Sequence, residues 1–187
     1  EDIDALLSYK TPIIHFVDRD GFKQILDSNE NLFEVVINSI ETMPLTSVEG
    51  VDNSCVLLCY ANELKKLITT PDGLIRKSLF EDNVRDYQGD NSINTEIGKT
   101  IENEPGKFAL LNNGITIVCE KYTPSNRQVT LKNPQIVNGC QTSHVIFHSE
   151  KEGEVLSKVP IVIKVISTQD NDITNQIVRG TNRQNIV

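Results

Sequence analysis

Long hydrophobic runs are missing from this chain. No stretch approaches the roughly 18 to 20 consecutive apolar residues that a membrane helix requires, and the opening EDIDALLSYK has neither the basic flank nor the apolar run of a secretory signal. Those two gaps set the expectation of a cytoplasmic protein without a membrane partner. A basic excess is lacking too. Lys and Arg number 18 against 26 Asp and Glu, for a formal charge of -8, and this argues against a surface devoted to nonspecific DNA binding. Lys158, Lys164, Arg179 and Arg183 form no long basic stripe. Cysteine is sparse: Cys55, Cys59, Cys119 and Cys140 make no paired CxxC ligands. The first three read as buried, reduced thiols. Cys140 follows Asn138-Gly139 at a helix start, where a thiolate would be stabilised, yet no base can be assigned to it. A Walker loop, a helical zinc signature and a decisive carboxylate cluster are also absent, so no metal site is expected.

What remains is adequate for one substantial core, or one core with a small N-terminal subdomain: 187 residues, 38% of them hydrophobic. The pattern predicts an α+β fold, a mixed β-sheet with packed helices. Pro12 to Val17 reads as a short strand, Leu32 to Ile40 as a helix or buried strand, and Met43-Pro44 as the start of a break. Ser54 to Tyr60 is a clearer strand and runs into a helix over Ala61 to Ile68, with Leu64, Leu67 and Ile68 on one face. Asn91 to Asn103 has Ile93, Ile97 and Ile101 at every fourth position, predicting a helix with an apolar face against the sheet. Val159 to Ile166 is the clearest central strand, with Pro160 at its start. Asp170 and Asp172 precede a helix containing Ile173, Ile177 and Val178, and fit capping at its positive end. His144 and His148 lie four apart on a further helix as an exposed or partly packed pair.

The polar words fall at the ends of these elements. In Asn133 to Thr142, NPQIVNGCQT, a short strand reaches an Asn-Gly turn just before a helix. Gly139 permits a positive backbone dihedral, and the amides that follow can meet an anion. Leu110 to Val118, LLNNGITIV, carries a second Asn-Gly corner before a strand. It reads either as a hairpin or strand bulge, or as two carboxamides beside a backbone concavity able to read a base, sugar or amide edge. Leu79 to Gly89 is a polar knot in which Asp82, Arg85 and Asp86 form an ion network, or Asn83 and Arg85 face a polar ligand. Arg179, Asn182, Arg183 and Gln184 crowd the chain's last helix.

NVRDYQG, LNNGITI, NPQIVNGCQTS and TNRQNIV, in that order over about residues 79–187, resemble the AIPR family, named for abortive infection and phage resistance in bacteria. The resemblance implies a bacterial protein connected with phage defence, whose full-length relatives are much longer. With no initiator methionine, both ends are expected to be cuts in a longer polypeptide. Residues 1–70 would be an N-terminal α/β portion of a larger region, and residues 71–187 an AIPR-like core shortened at its C-terminal end. More distantly, the core is similar to the ParB and sulfiredoxin type of fold, where a strand enters a glycine turn and a helix facing phosphate. In that likeness Thr142 stands where a cation is expected, so Arg85, Arg179 or Arg183 would bring the charge.

The candidate ligand-binding residues are Arg85, Asn112, Asn113, Gly114, Asn138, Gly139, Gln141, Thr142, Asn182 and Arg183. They predict a pocket at loop ends that binds a nucleotide or a nucleic-acid end, Arg85 and Arg183 countering phosphate charge. Two alternatives stand beside it. A metal-dependent phosphodiesterase or nuclease would use Asp82 or Asp86 with Mg2+, and a noncatalytic interaction scaffold, as a homo-oligomer or with other regions of the same polypeptide, would need no chemistry.

Overall fold

The computed structural model describes residues 33–80, 92–149 and 154–182, all within the compact unit that starts at Phe33. Two sheets and five α-helices occupy these residues. Strands β1 (Glu34–Asn38), β5 (Lys121–Ser125) and β6 (Gln128–Lys132) form an antiparallel sheet in the order β1-β6-β5. Strands β2 (Glu41–Pro44), β3 (Asn53–Tyr60), β4 (Ile115–Cys119), β7 (Gln135–Asn138) and β8 (Pro160–Ser167) form the larger one, in the order β2-β3-β8-β4-β7. All its pairings are antiparallel except β4 with β8. The mixed α+β architecture expected from the pattern is therefore present. The strand expected over Pro12 to Val17 lies outside the described residues.

Alternation explains the larger sheet. In β3, Cys55, Leu57 and Cys59 are fully buried while Asn53 and Tyr60 are exposed, the period-2 pattern of a strand with one face on a core. β8 does the same with Ile161, Ile163 and Val165, and Pro160 sits at its first position, where a missing N–H is tolerated. Helix α1 (Ala61–Ile68) follows β3 without a break and buries Leu64, Leu67 and Ile68 in this core, as its spacing predicts. The small sheet adds Ile37, Tyr122, Val129 and Leu131. Glu63, also buried on α1, ties helix to sheet by accepting from the backbone N–H of Asn38 at 3.0 Å and its side-chain amide at 2.9 Å.

Met43 and Pro44 end β2, an edge strand where proline leaves no ladder partner missing, and residues 45–48 after them carry no regular structure, the break expected there. Two local expectations are corrected. In α2 (Ser92–Asn103) Ile101 is buried and Ile97 half-buried, but Ile93 is 55% exposed, so the apolar stripe does not run the length of the helix. The Asn112-Asn113-Gly114 corner is not a hairpin: it joins the one-turn helix α3 (Phe108–Leu111) to β4.

The second face of the larger sheet positions the site. Helix α5 (Asn171–Asn182) starts on Asp170, whose Oδ1 accepts from the N–H groups of Asp172 and Ile173 at 2.8 and 3.2 Å. It lays Val178 and Ile177 over Val118 and Val137. β7 slips by one residue against β4, Ile117 facing Ile136 and Thr116 facing Asn138. Alternation sends Ile136 into the main core and Val137 under α5, and the bulge brings Asn138 opposite Thr116 with its side chain also on α5.

Candidate functional site

Beside α5 the second face is open, and a groove of about 720 Å³ lies there. One wall is the start of helix α4 (Cys140–His148), another is α2, and the corner at Asn112 to Gly114 closes one side. Asn112, Asn113, Gly114, Asn138, Gly139, Gln141, Thr142 and Asn182 all line it. The two Asn-Gly words, 25 residues apart in the chain, are thus neighbours in space.

Backbone contact is what joins them. Gly114 has φ +76, and a Cβ there would stand 2.5 Å from the carbonyl oxygen of Val162. Gly139 has φ +97, and its Cβ would stand 2.7 Å from Ile115 Cγ1 and 3.1 Å from the Gly114 oxygen. No side chain fits between the corners. The carboxamide of Asn112 pins the junction: its Oδ1 accepts from the Gly114 N–H at 2.9 Å, and its Nδ2 donates to Thr142 Oγ1 at 3.1 Å. Thr142 is accordingly buried and serves as a latch on α4, not as a groove-facing charge. Asn138 and Asn182 bond to each other and to neighbouring carbonyls, so both hold α5 against β7 while lining the groove.

Helix α4 opens without a side-chain cap, because Gly139 occupies the N-cap position. Its first intrahelical acceptor, the Gly139 carbonyl, takes the N–H of Ser143 at 2.9 Å. The amides of the preceding turn point out of the helix's positive end, where negative charge is favoured. Gln141, in that turn, has a buried Oε1 with no hydrogen-bond partner; a buried orphan acceptor of this kind is uncommon.

The groove also contains residues that sequence reasoning did not single out: Thr116 and Lys164 on its floor, and Glu96 and Lys99 on α2. Lys164 is the notable one. It is exposed in the middle of the central strand β8, flanked across the ladder by Thr116 and Val56. A lysine inside PIVIKVIS was the available signal, since a polar residue amid an apolar strand must face something other than core. Arg85, Asn83, Asp82, Asp86 and Arg183 lie outside the described residues, and Arg179 is exposed on α5.

Burial pushes the Cys59 and Cys119 thiols up to about 12, with nearby Glu63 adding to the first and Cys55 and Glu120 to the second. Cys140 is buried at the groove wall. Burial and the neighbouring His148 lower the pKa of His144, whose ring packs 5.2 Å from Phe80 and 6.2 Å from His148. Among the described residues no three His, Cys, Asp or Glu side chains are grouped as a metal site, and no helix is long and apolar enough to cross a membrane.

Compared with known proteins, residues 80–187 match the family model described as AIPR protein. No curated protein and no solved structure matches the chain.

Proposed function

This chain belongs to the AIPR family, and we propose that within that phage-resistance setting its groove binds a nucleotide or a nucleic-acid end. One observation supports this most: the two Asn-Gly corners touch, and their contact opens an uncapped helix start and several carboxamides onto one cavity. Carboxamides supply a donor and an acceptor side by side, the pairing a base edge presents. Asn113, exposed at the rim, and Gln141, with its orphan oxygen, are the readers in this proposal. Asn112, Asn138 and Asn182 shape the cavity. Arg85 and Arg183 are proposed to add phosphate contacts. The likeness to the ParB and sulfiredoxin type of fold belongs to the same proposal and rests on the run from β7 through Gly139 into α4.

A second reading has its own observation. Leu111, 65% exposed, and Ile93, 55% exposed, both line the groove, and Leu110 beside Leu111 in the chain is 83% exposed, apolar surface suited to a protein partner. A scaffold would use that surface.

Calorimetry decides between them. ATP, GTP, CTP, UTP and a short single-stranded DNA are titrated, with and without Mg2+, into the protein and into its Asn113→Ala, Gln141→Ala, Arg85→Ala and Arg183→Ala variants. Saturable binding weakened by Asn113→Ala or Gln141→Ala supports the groove. Silence from the folded wild type toward every ligand removes the nucleotide reading and leaves that surface.

A further inference from the structure

We propose that Lys164 is the charge anchor of the groove and that the ligand it seats carries a single terminal phosphate, a phosphomonoester, in preference to a triphosphate. This rests on the groove being the ligand site and goes further by naming the ligand's charged group.

The placement of Lys164 is the first reason. Its neighbours along and across the ladder are apolar or buried: Val162 is half-buried, and Ile166 and Thr116 are buried. Helix α5 covers this face over Val118 and Val137, and the cover stops where Lys164 stands on the cavity floor. Among the described residues Lys164 has no ion-pair partner. An ammonium on the central strand of a sheet, with no carboxylate within ion-pair distance among the described residues, is a donor awaiting an anion.

The second reason is charge balance. Lys99 and Glu96 both line the groove from α2, one charge of each sign, and together add no net charge to it. That leaves Lys164 and the start of α4, together about one and a half positive charges. A phosphomonoester carries about the complementary amount near neutral pH, -1.5 to -2. A triphosphate brings more charge than these groups neutralise, into a protein whose formal charge is already -8. Thr116, Asn113 and Gln141 line the same cavity and supply the neutral hydrogen bonds that a phosphate's remaining oxygens and an adjoining sugar require.

The test is calorimetry on the full chain with adenosine, guanosine, cytidine and uridine, their 5′-monophosphates and triphosphates, and a short DNA with and without a 5′-phosphate, against wild type, Lys164→Gln and Lys164→Arg. The fold of each variant is checked by circular dichroism. Wild type is expected to bind its preferred monophosphate, or the phosphorylated DNA end, on the order of 10- to 100-fold tighter than the same ligand without phosphate. Lys164→Gln is expected to lose that gain, and Lys164→Arg to keep most of it. Binding of only the mononucleotide, or only the DNA end, supports the seat and names its source. A nucleoside that binds as well as its monophosphate, a triphosphate that binds tightest, or a Lys164→Gln variant that keeps the phosphate gain overturns the seat and leaves the groove reading standing. No binding by any of these ligands overturns both.

Discussion

Asn138 and Asn182 each hold the backbone carbonyl that precedes the other. Asn138 Nδ2 donates to the Thr181 carbonyl at 3.0 Å and to Asn182 Oδ1 at 3.3 Å, while Asn182 Nδ2 donates to the carbonyls of Val137 at 3.1 Å and Val178 at 2.9 Å. The bulge at Val137 makes this exchange possible, because it turns Asn138 toward the end of α5 and leaves a carbonyl facing the helix.

Replacing either residue by alanine strands partly buried carbonyls, at a cost of about 1–2 kcal/mol each. Because the two side chains bond to one another, the double variant is expected to lose less than the sum. Urea unfolding of the two single variants and the double variant measures this. Strictly additive losses would mean that the pair does not act as a unit. Hydrogen exchange should rise first over residues 171–182, the helix the pair retains.

The glycine corners predict an ordered series. Gly114→Ala puts a methyl against backbone, the Val162 oxygen, which cannot move aside, whereas Gly139→Ala meets first a side-chain atom of Ile115. Both also force alanine into a left-handed conformation, worth about 1–2 kcal/mol. Gly114→Ala should therefore be the more damaging, at about 3 kcal/mol or above, and Gly139→Ala about 2 kcal/mol. Gly98→Ala, inside α2 with nothing within 4 Å of the new methyl, is the control and should raise stability by about 0.5–1 kcal/mol. Equal losses at Gly114 and Gly139 would contradict the backbone contact as the cause.

Much of the fold was legible because its main elements obey a single period. Ala61 to Ile68, Ile115 to Cys119 and Pro160 to Ser167 follow from spacing and β-branching, and Asp170 announced the start of α5 as a cap. Local rules failed where tertiary context decides. Ile93 has helical spacing yet stands at the groove mouth. The two Asn-Gly corners were visible as words, but their contact was not, since it depends on β4 and β7 being paired. Glu63 was hidden by its helix: its neighbour Lys66 is visible in the sequence, but the partner that ties it to β1, Asn38, is not. Lys164 was visible as an oddity and its meaning was not, because the open part of the sheet face cannot be read from one strand.

Glu63 gives the pH prediction. Burial alone would raise its carboxyl, but hydrogen bonds from Lys66 and from the backbone and side chain of Asn38, with the Lys66 charge, outweigh burial and hold it below the usual carboxylate range. A carboxyl depressed in the folded state stabilises that state above its unfolded pKa, about 4.3. The contribution is lost as pH falls through the lower folded value. Glu63→Gln should cost about 1.5–3 kcal/mol at pH 7, the range for hydrogen bonds to a charged group. The gap between wild type and variant should narrow as pH falls below about 4.3. Thermal melts from pH 7 to pH 3 follow it, and a gap that stays constant would show that the charge on Glu63 is not what joins α1 to β1.

Asn112→Asp separates folding from binding. A carboxylate at this position still accepts the Gly114 N–H that Asn112 Oδ1 takes at 2.9 Å, and the Thr142 hydroxyl, which now accepts from Nδ2 at 3.1 Å, can turn to donate. The new negative charge lies beside the positive end of α4, where it is worth about 0.3–1 kcal/mol in favour of the fold. Stability should therefore hold or rise. The same charge also lines the groove and competes with a phosphate for Lys164 and the helix start, so affinity for a phosphorylated ligand should fall by on the order of tenfold or more, while binding of the unphosphorylated nucleoside changes far less. Thermal melting and calorimetry on one preparation read both effects. A variant that melts as wild type and still binds the phosphorylated ligand at full strength would place the anion away from Asn112. A variant that melts well below wild type would show that the amide donor to Thr142, and not only the acceptor to Gly114, holds the two corners together.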